Sequence, residues 1–250
     1  MAEEKSAKRR RRGAVIYTPI AALLIIILLI FGISVFFRVT VIEIKVTEAG
    51  KYTTEQISTA SGIKKGDNLI FVDAKAAEQR ISLNLPYLSE VVIEKIVPDR
   101  VVINVTESQS IAALSYGGSW WIIDQKARVL EKTGIEDAAG KIIVSGIEPV
   151  SLVEGRVIIV DKNNETQLKY LIDVLSAIYN AGLAEEVGTL DVSNISNISF
   201  TLTDRFKVVL GSGRDAEYKL ATLQNIIPRL APDEEGIIDL TREKSHFIPY

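Results

Sequence analysis

Between Ala14 and Phe37 the chain runs for 24 residues without a charged side chain, centred on AALLIIILLIFGISVFF. As a helix rising about 1.5 Å per residue, this run covers a hydrocarbon core of roughly 30 Å with some tilt. Backbone polar groups in lipid must satisfy one another, and a helix does so within one segment. Pro19 falls near the start, where its missing N–H matters least. Lys8-Arg9-Arg10-Arg11-Arg12 precedes the run and Arg38 closes it. A basic flank holds the N-terminus in the cytoplasm. A cleaved secretory signal has an apolar core of about 7 to 15 residues and a small-residue cleavage site. This run is longer, and Gly32-Ile33-Ser34 makes a poor site. The reading is a cytoplasmic basic tail, 1–13, an uncleaved transmembrane helix, 14–37, and a body, 38–250, outside the cytoplasmic membrane. The first thirteen residues carry +4, which leaves −7 on the rest of a chain whose total is −3. An acidic body is a poor binder of nucleic acid.

The chain has no cysteine and a single histidine, His246. Disulfides, thiolate nucleophiles, cysteine-based zinc sites and histidine pairs are thereby excluded within one chain. Ser–Lys and carboxylate chemistries stay open, but no such group is set in a motif that reads as a nucleophile with its base. Asp191, Asp204 and Asp239 fall at strand ends or turns, where solvated and capping roles are usual. The expectation is a protein that is not an enzyme, with no cofactor and no metal. Four N-x-S/T triplets, at Asn104, Asn164, Asn194 and Asn197, are of a kind that arises by chance, and Asn104 sits in a strand pattern.

VTVIEIKV, 39–46, alternates: Ile42, Ile44 and Val46 face one way, and Val41, Glu43 and Lys45 the other. That period of two predicts a strand with one buried face. Thr53 or Thr54 can cap a short helix that Gly62 ends in a left-handed conformation. Asp73 suits the N-cap of a second helix with Ala77, Ile81 and Leu85 at helical spacing. VVIEKIV and RVVINVTE then flank a turn at Pro98-Asp99-Arg100. The loop between the helices, SGIKKGDNLIFVD, holds two glycines, but lacks the spacing of a phosphate-binding loop and follows a helix, not a strand. It reads as a helix stop and a turn, with Lys64 and Lys65 solvated and Leu69, Ile70 and Phe71 plugging a core.

The order strand, helix, helix, strand, strand directly after one span, with IEIKV, SGIKKGDNLIFVD and LPYLSEVVIEKIVPDRVVINVTE, resembles the POTRA domain of the FtsQ/DivIB family of bacterial cell-division proteins. Pro86, Val91, Pro98, Val101, Ile103, Val105 and Glu107 fall on that family's hairpin pattern. Ile96-Val97 stands where many relatives carry an aromatic residue before the proline.

In IAALSYGGSWWIIDQKARVLE, 111–131, turns at Gly117-Gly118 and Asp124-Gln125-Lys126 separate three strands. Alternation predicts one of Trp120 and Trp121 buried and the other at an edge. Leu168, Leu171, Ile172, Leu175 and Ile178 form the apolar stripe of a helix over 166–183. Strands follow at GTLDVSN, NISFTLTD and FKVVLG. A second helix runs from about Asp215 to Leu230, with Leu220, Leu223, Ile226 and Ile227 inward. GIIDL, 236–240, opens a last extended stretch. This segment resembles the β-domain of the same family, with Asp124 at the aspartate of its ID-x-x-G hairpin and Ala127 where glycine is usual. The expected architecture is α+β: a transmembrane helix, a POTRA domain (βααββ) over 38–107, and a mixed-sheet β-domain with two main helices over 108–250.

An unpaired strand edge near the C-terminus can recruit a partner strand by backbone hydrogen bonding. The resemblance implies the same. The family's β-domain holds the membrane-proximal segment of FtsB/DivIC, itself paired with FtsL, and the complex regulates the septal peptidoglycan synthase FtsW with its penicillin-binding transpeptidase. The matching positions are Ile238, Asp239, Leu240, Thr241, Arg242, Ser245, Phe247 and Ile248. Thr241 and Arg242 differ from the arginine–aromatic pair of some relatives. The implied location is the bacterial cell membrane at the division septum. The alternatives are a POTRA-bearing secretion or transport component, against which stands the lack of an internal repeat and of barrel strands after residue 108, and a membrane-anchored cell-wall-binding protein.

Overall fold

The structure, a computed structural model, describes residues 20–28, 31–47, 50–242 and 245–250. Residues 20–28 and 31–36 are helical with exposed side chains. Residues 14–19 and 29–30 of the expected span, and the whole basic tail 1–13, lie outside the described residues. Among the described residues no helix is long and apolar enough to cross a membrane.

The body begins as βααββ. Strand β1 (Val41–Thr47) is followed by helices α1 (Thr54–Ser61) and α2 (Ala74–Asn84), then by strands β2 (Leu88–Ile96) and β3 (Arg100–Glu107), and the three strands pair in the order β1-β3-β2. In β1, Ile42, Ile44 and Val46 are half-buried, whereas Val41 and Lys45 are exposed. Helix α1 starts with a capping box. The Thr53 hydroxyl accepts from the Gln56 amide, and the Gln56 side chain accepts from the Thr53 amide. It ends at Gly62, whose φ of 70° lets the cap amide reach the Thr59 carbonyl. Asp73 accepts from the Ala76 amide at 3.0 Å and so caps α2, whose Ala77 and Ile81 are buried.

The loop between these helices corrects one expectation. Leu69 is buried, but Ile70 is 49% exposed and Phe71 81% exposed. The cause is local. The Ile70 amide donates to the Asn68 side-chain oxygen, and the Phe71 and Val72 amides donate to the Asn68 carbonyl. This tight turn throws the two side chains outward. Lys64 and Lys65 are exposed.

The rest of the chain builds one large mixed sheet. Its strands are β4 (Ala112–Tyr116), β5 (Ser119–Ile123), β6 (Val129–Thr133), β7 (Ile142–Ser145), then, after the small hairpin of β8 (Pro149–Ser151) and β9 (Ile159–Val160) and helix α3 (Glu165–Asn180), β10 (Val187–Asp191), β11 (Ile198–Leu202) and β12 (Phe206–Gly211). Helix α4 (Ala216–Ile226) leads to β13 (Gly236–Asp239) and β14 (His246–Pro249). The order is β14-β13-β12-β11-β10-β7-β4-β5-β6. Pairs β4–β7, β7–β10 and β12–β13 are parallel, and the other pairs antiparallel. Leu171, Leu175 and Ile178 of α3 and Leu220 and Leu223 of α4 share one core cluster with Leu114, Ile142, Leu190, Phe200 and Val208 of the sheet. The α+β class with a mixed sheet and two main helices is therefore present.

By contact density the chain forms two compact units. One ends its first segment at Thr47 and adds Tyr52–Arg80 and Val91–Val105. The other takes Ile81–Glu90 and Thr106–Tyr250 with a short stretch ending at Lys51. The tryptophans correct a second expectation, because both are half-buried. Strand β5 lies one place from the end of the sheet, and both tryptophans fall in its half-buried first part, before the buried Ile122 and Ile123. Trp121 packs against the core cluster and donates its indole N–H to the Tyr116 carbonyl at 3.3 Å.

Asp124 is wholly buried at the β5–β6 turn. It accepts from the Ser108 hydroxyl at 2.7 Å, the Lys126 amide at 2.8 Å and the Arg128 amide at 2.9 Å. Ala127 holds the turn's left-handed position, φ 55°, with its methyl group fully buried. A buried donor left without its acceptor costs about 1–3 kcal/mol. Asp124→Ala strands the buried Ser108 hydroxyl and two part-buried amides, so it should lower stability by about 2–4 kcal/mol, read as a shift of the urea midpoint with the slope unchanged. A loss below about 1 kcal/mol would mean that water replaces the carboxylate without penalty.

Candidate functional site: the C-terminal sheet edge

The sheet ends at β14, whose position is set by β13. Strand β13 arrives parallel to β12, with Val208 opposite Ile238 and Val209 opposite Asp239. Ile238 and Leu240 are buried, and the Leu240 amide donates to the Val209 carbonyl at 2.8 Å. The connector before β13 is clamped by Arg205. Its guanidinium donates to the Ala231 and Glu234 carbonyls at 2.8 Å, and its carbonyl accepts from the Gly236 amide. From the other end of α4, Lys219 donates to the Leu210 and Ser212 carbonyls, both at 2.8 Å.

The chain then turns back. Thr241 holds the Asp239 carboxyl below the ordinary aspartate range, first through its side chain and then through its amide, which donates at 2.8 Å, with Arg242 and His246 adding to the effect. Strand β14 pairs antiparallel to β13, with Asp239 opposite His246, Ile238 opposite Phe247, Ile237 opposite Ile248 and Gly236 opposite Pro249. Phe247 is half-buried and meets Phe206 edge-on, the ring centroids 6.1 Å apart. Ile248 is exposed.

The backbone phase of this edge follows from one bond. The Tyr250 amide donates to the Glu235 carbonyl at 3.1 Å. In an antiparallel ladder, residues facing the partner strand alternate with residues facing away. Tyr250, Ile248 and His246 therefore direct their backbone groups toward β13, and Pro249 and Phe247 direct theirs outward. Among the described residues Phe247 offers a free N–H and a free carbonyl, and Pro249 a carbonyl alone, since proline has no N–H.

The eight positions singled out from the sequence thus divide into two groups. Ile238, Asp239 and Leu240 lie in or beside β13, which is paired on both sides, and two of the three are buried. Thr241 and Arg242 are exposed on the turn, and Ser245, Phe247 and Ile248 lie along the edge segment. Sequence reasoning passed over Gly236, Pro249 and Arg205. A side chain on Gly236 would meet the Ile248 carbonyl oxygen at 2.3 Å and the Pro249 Cα at 2.9 Å, so only glycine lets β14 lie this close. Pro249 was legible as an edge marker, because proline is confined to edges and ends of strands.

Two outcomes follow for this edge. Gly236→Ala should displace β14 while the core persists, at a cost of about 1–3 kcal/mol typical of overpacking. The reading is loss of hydrogen-exchange protection at the Ile248 and Tyr250 amides with Leu220 and Leu223 amides still protected; unchanged protection throughout would contradict the close approach. Because its folded pKa is depressed, Asp239 contributes stability that is whole at neutral pH and is lost only as pH falls below the ordinary aspartate range. The Thr241 amide resonance should titrate with a midpoint under that range, and a midpoint at the ordinary value would contradict the Asp239–Thr241 bond.

Residues 39–108 match the family described as POTRA domain, FtsQ-type, and residues 112–241 match the family described as cell division protein FtsQ/DivIB, C-terminal. The chain is 27% identical over 188 residues to the cell division protein FtsQ of Corynebacterium glutamicum, covering 74% of this chain and 78% of that protein. It is 25% identical over 213 residues to the cell division protein DivIB of Clostridium tetani, covering 82% and 77%. It is 27% identical over 211 residues to the cell division protein DivIB of Clostridium botulinum strain Hall, covering 83% and 80%. With a POTRA domain of FtsQ type followed by the family's own C-terminal domain, the chain belongs to the FtsQ/DivIB family of cell-division proteins.

Proposed function

We propose that this chain is a non-enzymatic scaffold of the bacterial division machinery. It is anchored by one helix over 14–37, with its basic tail, 1–13, in the cytoplasm. Its POTRA domain, 38–107, and β-domain, 108–250, stand outside the membrane at the septum. The β-domain edge holds an FtsB/DivIC–FtsL type partner by strand addition, and through it the chain acts on septal peptidoglycan synthesis by FtsW and its transpeptidase.

The observation that carries this reading is the free outer edge of β14, where the Phe247 N–H and carbonyl face away from the sheet. Strand addition uses such groups for affinity and alternate side chains for selection. Ser245, Phe247, Ile248, Thr241 and Arg242 supply the contacts, while Ile238, Asp239 and Leu240 hold the edge in place. Family membership supports the division role, and the uncharged run with its exposed Leu23, Leu24, Ile25 and Phe31 supports the anchor.

The test is a titration of the full-length protein in micelles against the outer segments of an FtsB/DivIC–FtsL type pair. Phe247→Ala removes the side chain and keeps the outward N–H; Phe247→Pro removes both. The proline variant should bind more weakly than the alanine variant by about 1–2 kcal/mol, roughly a five- to thirtyfold change in Kd. Equal losses, with β14 amides still protected in both variants, would reject strand addition at this edge. No binding by the folded wild type would reject the partner.

A further inference from the structure

We infer that the turn Asn68–Val72 of the POTRA domain is a membrane-surface foot that places Ile70 and Phe71 in the headgroup layer of the bilayer. This inference rests on the reading of residues 14–37 as a membrane anchor.

No flexible linker separates the apolar run from the folded domain. The Phe37 amide closes the last helical turn on the Ile33 carbonyl. The Leu69 amide donates to the Phe37 carbonyl at 2.7 Å, the Val39 amide to the Asp67 carbonyl and the Gly66 amide to the Val39 carbonyl, both at 2.8 Å. Arg38 and Asn68 form a bridge, and Val39 is buried. The turn is thus bonded to the last residues of the apolar run.

Phe71 lies two residues beyond Leu69, within about 7 Å of chain. The interfacial layer on each side of the hydrocarbon core is about 5–7 Å thick. A turn fixed to Phe37 therefore lies within that layer. Its most exposed side chain is Phe71, with Ile70 beside it. A second apolar pair, the exposed Ile96 and Val97, sits on the β2–β3 connection, and that connection is tied to the same junction. The Thr40 amide donates to the Asp99 carbonyl at 2.8 Å, and the Val41 amide does so at 3.3 Å.

The backbone of the turn is prepared for such an environment. Polar groups entering an apolar medium unpaired are expensive. Here the Ile70, Phe71 and Val72 amides are all satisfied by Asn68. The Ile70 and Val72 carbonyls accept from the Lys95 ammonium, at 3.2 and 3.0 Å. Lys95 also brings a positive charge to the level of the lipid phosphates.

The chain contains no cysteine, so a single introduced one carries a nitroxide label without background. Full-length Phe71→Cys, Leu24→Cys and Thr47→Cys proteins are labelled and reconstituted in vesicles of phosphatidylethanolamine and phosphatidylglycerol. Collision with oxygen, which partitions into lipid, is compared with collision with a water-soluble nickel chelate. The label at Phe71 should show an oxygen-to-chelate collision ratio between those at Leu24, which favours oxygen, and Thr47, at the far end of β1, which favours the chelate. A Phe71 label that follows Thr47 while Leu24 stays in lipid overturns the foot and leaves the anchor standing. A Leu24 label that favours the chelate overturns the anchor and the foot together.

Discussion

The bond from the Tyr250 amide to the Glu235 carbonyl sets which backbone groups of β14 face out from the sheet. Its phase turns the backbone groups of Ile248 and His246 toward β13 and leaves those of Phe247 facing out. The resulting edge is short and carries Pro249, so it offers few donors. Short edges that carry proline resist indiscriminate pairing. One net hydrogen bond is worth about 0.5–1.5 kcal/mol, whereas micromolar binding requires about 8 kcal/mol. In the proposed complex the outward groups of β14 would thus fix register and direction. The bulk of any affinity must come from apolar and charged side chains beside them, such as Ile248 and Arg242.

That edge depends on a chain of supports reaching into the core. Ile238 lies buried between β12 and β14, Gly236 admits β14 at close range, and Arg205 clamps the connector that delivers β13. The Phe206–Phe247 contact joins the edge to the core cluster.

Much of this was legible in the sequence where the signal was local. Thr53, Gln56 and Gly62 mark the bounds of α1, and the spacing of Leu171, Leu175 and Ile178 marks the buried face of α3. The order βααββ followed from alternation and turn residues. Signals that depend on distant pairing were not legible. Strand β7 is only IIVS, too short to show a period, yet it sits inside the sheet between β4 and β10. GIID gives no sign that β13 is paired on both sides, so the sequence could not separate the residues that hold the edge from those that face outward. Ile70 and Phe71 read as core because they are apolar. Their exposure comes from a turn built on Asn68, which hydropathy does not register.

Amide-resolved hydrogen exchange, on the full-length protein with and without a saturating FtsB/DivIC–FtsL type partner, tests the central claim most directly. Without partner, the Ile248 and Tyr250 amides should be protected and the Phe247 amide should exchange freely. With partner, the Phe247 amide should become protected while the other two keep their protection. A Phe247 amide that exchanges freely in the saturated complex would contradict strand addition at this edge.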